Sequence, residues 1–246
     1  MIGVAAGFLL GLVAIGLPVA VALVIVALLL DQFYSFFPLF PATGQMLWGA
    51  FSSFSLIAVP LFIMTGEILL RSGIAQAMFS GIDLWVRRFP GGLLHTNIAS
   101  SALFAATSGS SVATAATIST VAIPQMEPGG YKAPLFLGSI AAGGTLGILI
   151  PPSINLIIYG VLSETSISRL YLAALIPGLL LALLFMGMVA ILFIVTPRFG
   201  GEKRPAASWD EKLRKLSGTV PPLLLFVLMV GSIYAGIATP TEAAAP

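Results

Sequence analysis

From Ile2 to Leu30 the sequence is apolar almost without interruption and contains no Lys or Arg. About 20 apolar residues are enough for a helix to cross a bilayer. A secretory signal would need a basic start and a shorter apolar core, so residues 2–30 are predicted to remain as a membrane helix. Further apolar runs lie at about 50–70, 134–162, 170–196 and 219–238. The sequence therefore predicts an all-α polytopic membrane protein.

The composition agrees with this class and excludes several kinds of site. Hydrophobic residues make up 58% of the chain and charged residues 8%, whereas a soluble domain has about 25% charged residues. The alternating strands of a membrane β-barrel are absent. Because there is no cysteine and only one histidine, His95, neither a thiolate nor a His-cluster metal site is expected.

Two features of the N-terminal third predict how its helices are placed. Gly3, Gly7 and Gly11 recur every four residues, which is a small-residue face suited to close helix packing. Residues 72–91 are too polar to cross the membrane, but they place four apolar side chains on one helical face, with Asp83 elsewhere. These side chains are Ile74, Met78, Ile82 and Trp85. We expect this segment to lie along the membrane surface.

The segment 92–126 is predicted to be a re-entrant hairpin. If it enters and leaves on one side, every Lys and Arg except Arg169 lies on one face, which the positive-inside rule makes cytoplasmic. Two full spans would need about 40 apolar residues, and this segment is shorter and more polar. Residues 92–107 then descend, Ser108, Gly109, Ser110 and Ser111 form the tip, and residues 112–126 return. Irregular backbone at that depth must be buried in protein or line a wet cavity.

A second break is predicted at residues 143–155, GGTLGILIPPSIN. Pro151 and Pro152 remove two backbone donors, and three preceding glycines loosen the helix. Two half-helices with an unwound joint expose carbonyl oxygens from the first half and N–H groups from the second, suited to a cation and an anion. The alternative is a plain proline kink that only bends the helix.

Four motifs together closely resemble the large membrane subunit of TRAP transporters, the tripartite ATP-independent periplasmic family. They are VPLFIMTGEILLRSGIA (59–75), ATSGSSVATAATIS (106–119), AAGGTLGILIPPS (141–153) and GIATPTEAAA (236–245). The resemblance implies an elevator-type fold made of inverted repeats with re-entrant hairpins. It also implies Na⁺-coupled uptake of organic acids from a periplasmic binding protein, a smaller membrane subunit as partner and no other cofactor.

Large subunits of that family are considerably longer, and this chain stops at ATPTEAAAP, where a second inverted half would begin. It is expected to be the first repeat, as a fragment or a truncated gene product, and to supply half of a two-repeat site. The resemblance places sodium and substrate at the hairpin tip and the joint. The expected set is Ser108, Gly109, Ser110, Ser111, Thr114, Gly143, Gly144, Thr145, Gly147, Pro151, Pro152, Ser153 and Asn155, with Na⁺ held by Ser108, Ser110, Gly143 and Thr145.

Most of these residues also have a structural interpretation. Tip serines cap helices, and Thr114, Thr117 and Thr120 suit packing or bonds to the preceding turn. Glu67 and Arg71 stand four residues apart, either as a structural ion pair or as a functional intramembrane pair. A serine protease dyad of His95 and Ser110 is remote, since one helical arm would separate them by about 22 Å. His95 is expected to be interfacial and solvated.

The predicted organisation assigns each segment one role. Its parts are two membrane helices (1–71), an interfacial helix (72–91), the hairpin (92–126), a broken helix (127–162), a membrane helix (163–196), a cytoplasmic basic loop (197–218), and a last membrane helix with the start of a second repeat (219–246). The loop is expected to form a short helix on anionic lipid. The protein would sit in the bacterial inner membrane with a cytoplasmic N-terminus.

The function predicted is a membrane subunit of a Na⁺-coupled importer of organic acids such as dicarboxylates or sialic acid, and not an enzyme. The alternatives are an uncoupled anion channel and a purely structural membrane subunit. No GxxxxGK[ST] motif occurs, which disfavours an ATP-driven pump. Nucleic-acid binding is not expected.

Overall fold

The computed structural model describes residues 2–35, 40–196, 201 and 207–245. These residues form helices joined by short connections and contain no strand, so the predicted all-α class is confirmed. They divide into two compact units, Met1–Ser53 and Phe54–Pro246.

Where it is described, the first unit contains three helices rather than the single helix predicted for residues 2–30. They are α1 (Ile2–Ala14), α2 (Val19–Tyr34) and α3 (Phe40–Phe51). The prediction was wrong because Gly16 adopts φ +88° and Pro18, which has no N–H to continue a helix, follows two residues later. Helix α3 was not predicted.

The second unit begins with a 3₁₀ turn, Phe54–Ile57, and continues through ten helices in the described residues. They are α4 (Ala58–Arg71), α5 (Ile74–Val86), α6 (Leu93–Ser108), α7 (Ser111–Ala122), α8 (Ala133–Leu149), α9 (Ile154–Leu162), α10 (Ile167–Val195), α11 (Trp209–Leu216), α12 (Val220–Tyr234) and α13 (Pro240–Ala243). A further 3₁₀ turn, Ile123–Gln125, follows α7.

Three helical segments of the described chain are long and apolar enough to cross a membrane: Phe54–Arg71, Ala133–Leu162 and Ile167–Val195. Helices α11 and α12, which meet at 51°, form a fourth if the pair is one span. The second segment runs through the break between α8 and α9. Which residues enter the bilayer, and from which side, stays a prediction.

Helices α6 and α8 lie at the centre of the larger hydrophobic core, where α5, α7 and α10 pack around them. A smaller core joins α4, α9, α12 and α13 around the fully buried Phe62 and Tyr171. Although α6 is rich in Ser, Thr and Asn, almost all of its side chains are buried. A helix with many polar side chains is therefore among the most enclosed of this unit.

Helix α5 is present as predicted, but its buried face differs from the predicted one. Met78 is fully buried, whereas Trp85 is 38% exposed and Asp83 is buried. Thr96 on α6 donates its hydroxyl to the Asp83 carboxylate at 3.1 Å. This bond explains how a carboxylate lies on the packed face.

The predicted short helix of the basic loop is confirmed as α11, while residues 197–200 and 202–206 of that loop lie outside the described part of the chain. Lys212 on α11 is buried between two indole rings, with Nζ 5.2 Å from the centre of Trp85 and 5.1 Å from that of Trp209. The contact with Trp85 joins α11 to α5, and the contact with Trp209 lies within α11.

Helix α13 begins with a capping box formed by Thr239 and Glu242. The Thr239 N–H and hydroxyl both donate to the Glu242 carboxylate at 2.8 Å. The backbone bond first, and then the hydroxyl bond, hold the pKa of Glu242 below its usual value.

Candidate functional site

The predicted tip falls where α6 ends and α7 begins. Gly109, at φ +64°, caps α6, and its N–H donates to the Ala105 carbonyl at 3.0 Å. Ser110 has extended backbone and begins α7 as its N-cap. A single left-handed residue followed by an N-cap residue reverses the chain within two residues.

Hydroxyl groups stabilise this turn, both within the start of α7 and between α6 and α7. The Ser110 hydroxyl accepts from the Ala113 N–H at 3.3 Å, and Thr114 donates to the Ser110 carbonyl at 2.7 Å. The hydroxyls of Ser108 and Thr114 are 3.1 Å apart, and both side chains are buried. The capping interpretation of these residues therefore describes their bonds in this structure, and ion or substrate binding by them stays a prediction.

The second break separates α8 from α9 at residues 150–153. Ile150 and Ser153 are extended, and Pro151 and Pro152, joined by a cis peptide bond, are buried between them. The Ser153 hydroxyl donates to the Ile148 carbonyl at 2.7 Å. A helix would bond the Gly147 carbonyl to the N–H of residue 151, and proline has none. The end of α8 thus presents a carbonyl without its helical donor.

The three glycines before this break do not loosen α8, contrary to the prediction, because the helix continues to Leu149. They make room for neighbours instead. An ideal Cβ at Gly144 would lie 2.8 Å from the Ala115 side chain, and one at Gly147 would lie 2.8 Å from the Ser111 nitrogen. The glycines let α7 approach α8 closely.

Tip and joint are in direct contact. The Ile154 N–H, at the start of α9, donates to the Gly109 carbonyl at 3.0 Å. A Cβ at Gly109 would lie 3.0 Å from the Pro152 carbonyl oxygen. The two breaks, 40 residues apart in the chain, therefore meet at one place.

This meeting point brings together helix ends of both polarities. Helices α7 and α9 start there. The Ala113 and Ile154 N–H groups are bonded at this place, and the other first-turn N–H groups have no preceding turn to accept them. Helices α6 and α8 end there, where their last carbonyls have no following turn to donate to them. The positive ends favour a carboxylate and the carbonyl ends favour a cation. The arrangement can bind an anion and a small cation side by side.

Several predicted site residues lie elsewhere. Gly143 and Thr145 are at least one turn before the end of α8, so their carbonyls lie within the helix. The Thr145 side chain is exposed and donates to the Ala142 carbonyl at 2.6 Å. Asn155 is in the first turn of α9 with an exposed side chain. On α7, Thr117 is buried, whereas Thr120 is exposed and donates to the Thr117 carbonyl at 2.7 Å.

The titratable candidates, which are the Glu67–Arg71 pair and His95, have ordinary structural contacts. Arg71 Nε and Glu67 Oε1 are 2.7 Å apart in an exposed pair, as the structural interpretation predicts. His95 is only 3% exposed, so the expectation of a solvated ring was wrong. Its Nε2 lies 2.7 Å from the Pro90 carbonyl oxygen, at the opposite end of α6 from Ser110.

The sequence interpretation missed a third helix at the tip. Gly66 on α4 faces Ser108, and a Cβ at Gly66 would lie 3.1 Å from the Ser108 Cβ. Gly66 lies within the motif at 59–75, but no local pattern shows which glycine meets the tip.

Comparison with known proteins identifies a family and several relatives of this chain. The sequence profile of the family described as "Tripartite ATP-independent periplasmic transporter, DctM component" matches residues 6–246. The chain is 36% identical over 237 residues to the large permease protein of a C4-dicarboxylate TRAP transporter of Vibrio cholerae, covering 96% of the chain and 51% of that relative.

Two further relatives have other substrates in their names. The large permease of a sialic acid TRAP transporter of Vibrio cholerae is 37% identical over 250 residues, covering 100% of this chain and 56% of the relative. That of an ectoine TRAP transporter of Halomonas elongata is 35% identical over 243 residues, covering 96% and 55%.

This chain spans about half the length of these relatives. They are named as transporter subunits and not as enzymes. The profile match covers almost the whole chain, including the helices that form the tip and the joint. The chain belongs to the DctM component family of the tripartite ATP-independent periplasmic transporters.

Proposed function

We propose that this chain forms one part of the ion and substrate site of a Na⁺-coupled transporter that imports organic acids across the bacterial inner membrane. A periplasmic binding protein delivers the acid, and a small membrane subunit completes the transporter. The N-terminus lies in the cytoplasm. The observation that carries the proposal is the bond from the Ile154 N–H to the Gly109 carbonyl, which joins the two breaks.

The substrate carboxylate binds at the start of α7 and α9. Free N–H groups and the positive helix ends favour it there without a basic side chain. Pro151 and Pro152 precede α9 and keep another helical turn from covering the first-turn N–H groups that follow Ile154. The small side chains of Ser110 and Ser111 leave room for the acid.

The Na⁺ ion binds at the carbonyl ends of α6 and α8. Gly147, whose carbonyl has no helical donor, packs against the tip, since a Cβ at Gly147 would lie 2.9 Å from the Ser110 carbonyl oxygen. Ser108 and Ser110 supply further oxygens at the same turn. Of the four predicted sodium ligands we retain these two and replace Gly143 and Thr145 with Gly147. Because cation and carboxylate then bind next to one another, each increases the affinity for the other.

The meeting point of the tip and the joint does not by itself determine which acid is bound. Relatives at similar identity are named for C4-dicarboxylate, sialic acid and ectoine transport. Backbone groups at helix ends bind a carboxylate whatever is attached to it. We propose that this part of the site recognises the charged group, while other parts of the transporter select the rest of the molecule.

The test is thiol accessibility at the tip of the intact transporter. Ser110→Cys is introduced on a background from which any other cysteine is removed, and labelling by an impermeant maleimide is timed with Na⁺, with choline, and with Na⁺ plus candidate acids. This chain itself contributes no cysteine. Thr120→Cys, exposed on the same helix but away from the tip, is the matched control.

We expect Na⁺ to slow labelling at position 110 several-fold, a transported acid to slow it further, and neither to change labelling at position 120. Equal rates at position 110 in Na⁺ and choline would refute sodium binding at the tip. Uptake by the same protein in proteoliposomes separates the remaining functions: a saturable, Na⁺-dependent rate supports the coupled transporter, and a linear, Na⁺-independent flux indicates a channel.

A further inference from the structure

Tyr171, on α10, is a large polar side chain that the proposed ligand contacts do not use. It is fully buried in the smaller core, together with Phe62 and Ile157. Its hydroxyl donates to the Ser153 carbonyl at 3.5 Å. Ser153 is the last residue of the joint and the N-cap of α9. Because a buried tyrosine hydroxyl needs a hydrogen-bond partner, this bond gives α10 a directed contact with the joint.

The Ser153 carbonyl and the Ile154 N–H belong to one peptide group, and that group also contacts the tip. A peptide group is planar, and in the trans form its carbonyl and its N–H point in opposite directions. Here the N–H donates to the Gly109 carbonyl at 3.0 Å. Rotation of the carbonyl therefore turns the N–H relative to the tip. Tyr171 holds one end of the group whose other end bonds to Gly109.

The bond from Tyr171 differs from the other bond to the same carbonyl. The Ile157 N–H also donates to the Ser153 carbonyl, at 3.1 Å. Ile157 lies in α9, so its bond moves with that helix and sets no direction relative to the rest of the protein. Tyr171 lies in α10, so its bond fixes the peptide group against a second helix.

Helix α10 also contacts the beginning of the joint. An ideal Cβ at Gly178 would lie 2.9 Å from Ile150 Cγ1 and 3.4 Å from the Ile150 nitrogen. Residues 171 and 178 are seven positions apart and therefore share one face of the helix. This face of α10 thus contacts both ends of the joint, Ile150 through Gly178 and Ser153 through Tyr171.

We propose that Tyr171 is a positioning residue, which holds the joint against the tip through the Ser153–Ile154 peptide group and thereby sets the affinity for Na⁺ and for the acid. The identity of the two ligands rests on the function proposed above. Tyr171 acts through the peptide group and is not itself a ligand. When its hydroxyl is lost, a smaller fraction of molecules has tip and joint in contact, and the apparent affinity falls by that fraction.

The first experiment compares Tyr171→Phe with the wild-type intact transporter in proteoliposomes. The substitution keeps the buried ring and removes only the hydroxyl. Tyr234→Phe is the matched control, because Tyr234 packs on the same core and its hydroxyl has no hydrogen-bond partner among the described residues. We expect the Na⁺ concentration that gives half-maximal uptake to rise several-fold in Tyr171→Phe, with a maximal rate near that of the wild type, and to stay unchanged in Tyr234→Phe.

A purely structural role of Tyr171 would give a different result. Fewer folded molecules lower the maximal rate and leave the half-saturating Na⁺ concentration unchanged. That outcome in Tyr171→Phe would overturn the proposal, as would an equal rise in both variants.

The second experiment needs no bound ligand. Labelling of Ser110→Cys by an impermeant maleimide is timed in choline, with and without Tyr171→Phe. We expect several-fold faster labelling with Tyr171→Phe, no change with Tyr234→Phe, and no change at Thr120→Cys in either case. Equal labelling at position 110 overturns the proposal. Faster labelling in a transporter whose wild-type uptake is independent of Na⁺ would support the positioning role and refute the proposed sodium site, so the two failures are distinguishable.

A second variant removes the opposite end of the same peptide group. Ile154→Pro eliminates the N–H that bonds to Gly109, at the first position of α9, where helices accept proline. Ser153 already has the extended backbone that a following proline requires. We expect Ile154→Pro to speed labelling at position 110, and Tyr171→Phe to add little to it, because both act on one peptide group. Independent increases from the two substitutions would overturn the proposal.

Discussion

Two helices of this protein carry a series of glycines, and the structure places the two series in opposite surroundings. In α8, a Cβ at Gly143, Gly144 or Gly147 would come within 2.6–2.8 Å of its nearest neighbour. In α1, a Cβ at Gly3, Gly7 or Gly11 would meet nothing within 4 Å in the described chain. Glycine spacing alone therefore does not show which helix face has a partner.

The two glycine series differ in the residues that lie opposite them. The α8 series faces small residues of α6 and α7, among them Ser101, Ser111 and Ala115, so both sides of the contact are narrow. Close approach of two helices inside a membrane requires small residues on each. The hydroxyl-rich run at 106–120 thus has a packing role along α8 in addition to its role at the tip.

The largest effect is expected for Gly147→Ala. The new methyl would lie 2.8 Å from the Ser111 nitrogen and 2.9 Å from the Ser110 carbonyl, which are backbone atoms that cannot rotate away. Overpacking of this kind costs about 1–3 kcal/mol, and here it displaces the tip. We expect a lower Tm together with loss of Na⁺-dependent uptake in proteoliposomes. Wild-type uptake by this variant would show that tip and joint need not touch.

A smaller effect is expected for Gly143→Ala, whose methyl would meet the Ser101 side chain at 2.6 Å. Because the obstacle is a side chain, Ser101→Gly should relieve it. The double variant should recover part of the stability lost in Gly143→Ala, with a coupling energy of about 1 kcal/mol in a thermal or denaturant double-mutant cycle. Additive losses would mean that the two residues do not interact.

Gly109→Ala is expected to cost more than Gly16→Ala, although both glycines have positive φ. Each substitution carries a left-handed penalty of about 1 kcal/mol. Only Gly109 also has a neighbour, the Pro152 carbonyl oxygen at 3.0 Å from its ideal Cβ. The difference between the two Tm shifts measures the contact of tip and joint. Equal Tm shifts would show that the contact between the tip and the joint does not contribute measurably to stability.

The smallest effect is expected for Gly7→Ala in the open series of α1. With nothing within 4 Å, the substitution should stay within about 0.5 kcal/mol of neutral. A Tm loss of several degrees in the assembled transporter, absent for the isolated chain, would show that another subunit packs on this face.

The sequence predicted the breaks of the fold better than the contacts between them. Gly109 with Ser110, and Pro151 with Pro152, act through local backbone chemistry, so the positions of the turn and the joint could be predicted. The end of α8 at Leu149 rather than at Gly143 was missed although Pro151 carries a local signal for it, since the residue before a proline is disfavoured in a helix. The division of residues 2–30 was missed although Gly16 and Pro18 carry a local signal for it.

The site was predictable to a similar extent. Tip and joint were expected to act together because of the family resemblance, and their contact through Gly109 and Ile154 required coordinates. Gly66 was missed since its importance comes from a partner on another helix. His95 was misplaced because a polar residue near a helix end does not reveal what packs over it.

The position of Lys212 between two indole rings has a practical consequence. Trp85 and Trp209 are two of the three tryptophans in this chain, with ring centroids 6.1 Å apart. A charge held over an indole alters its excited state, so intrinsic fluorescence reports whether α11 is docked on α5. Any separation of α11 from α5 can then be followed in real time without attaching a dye.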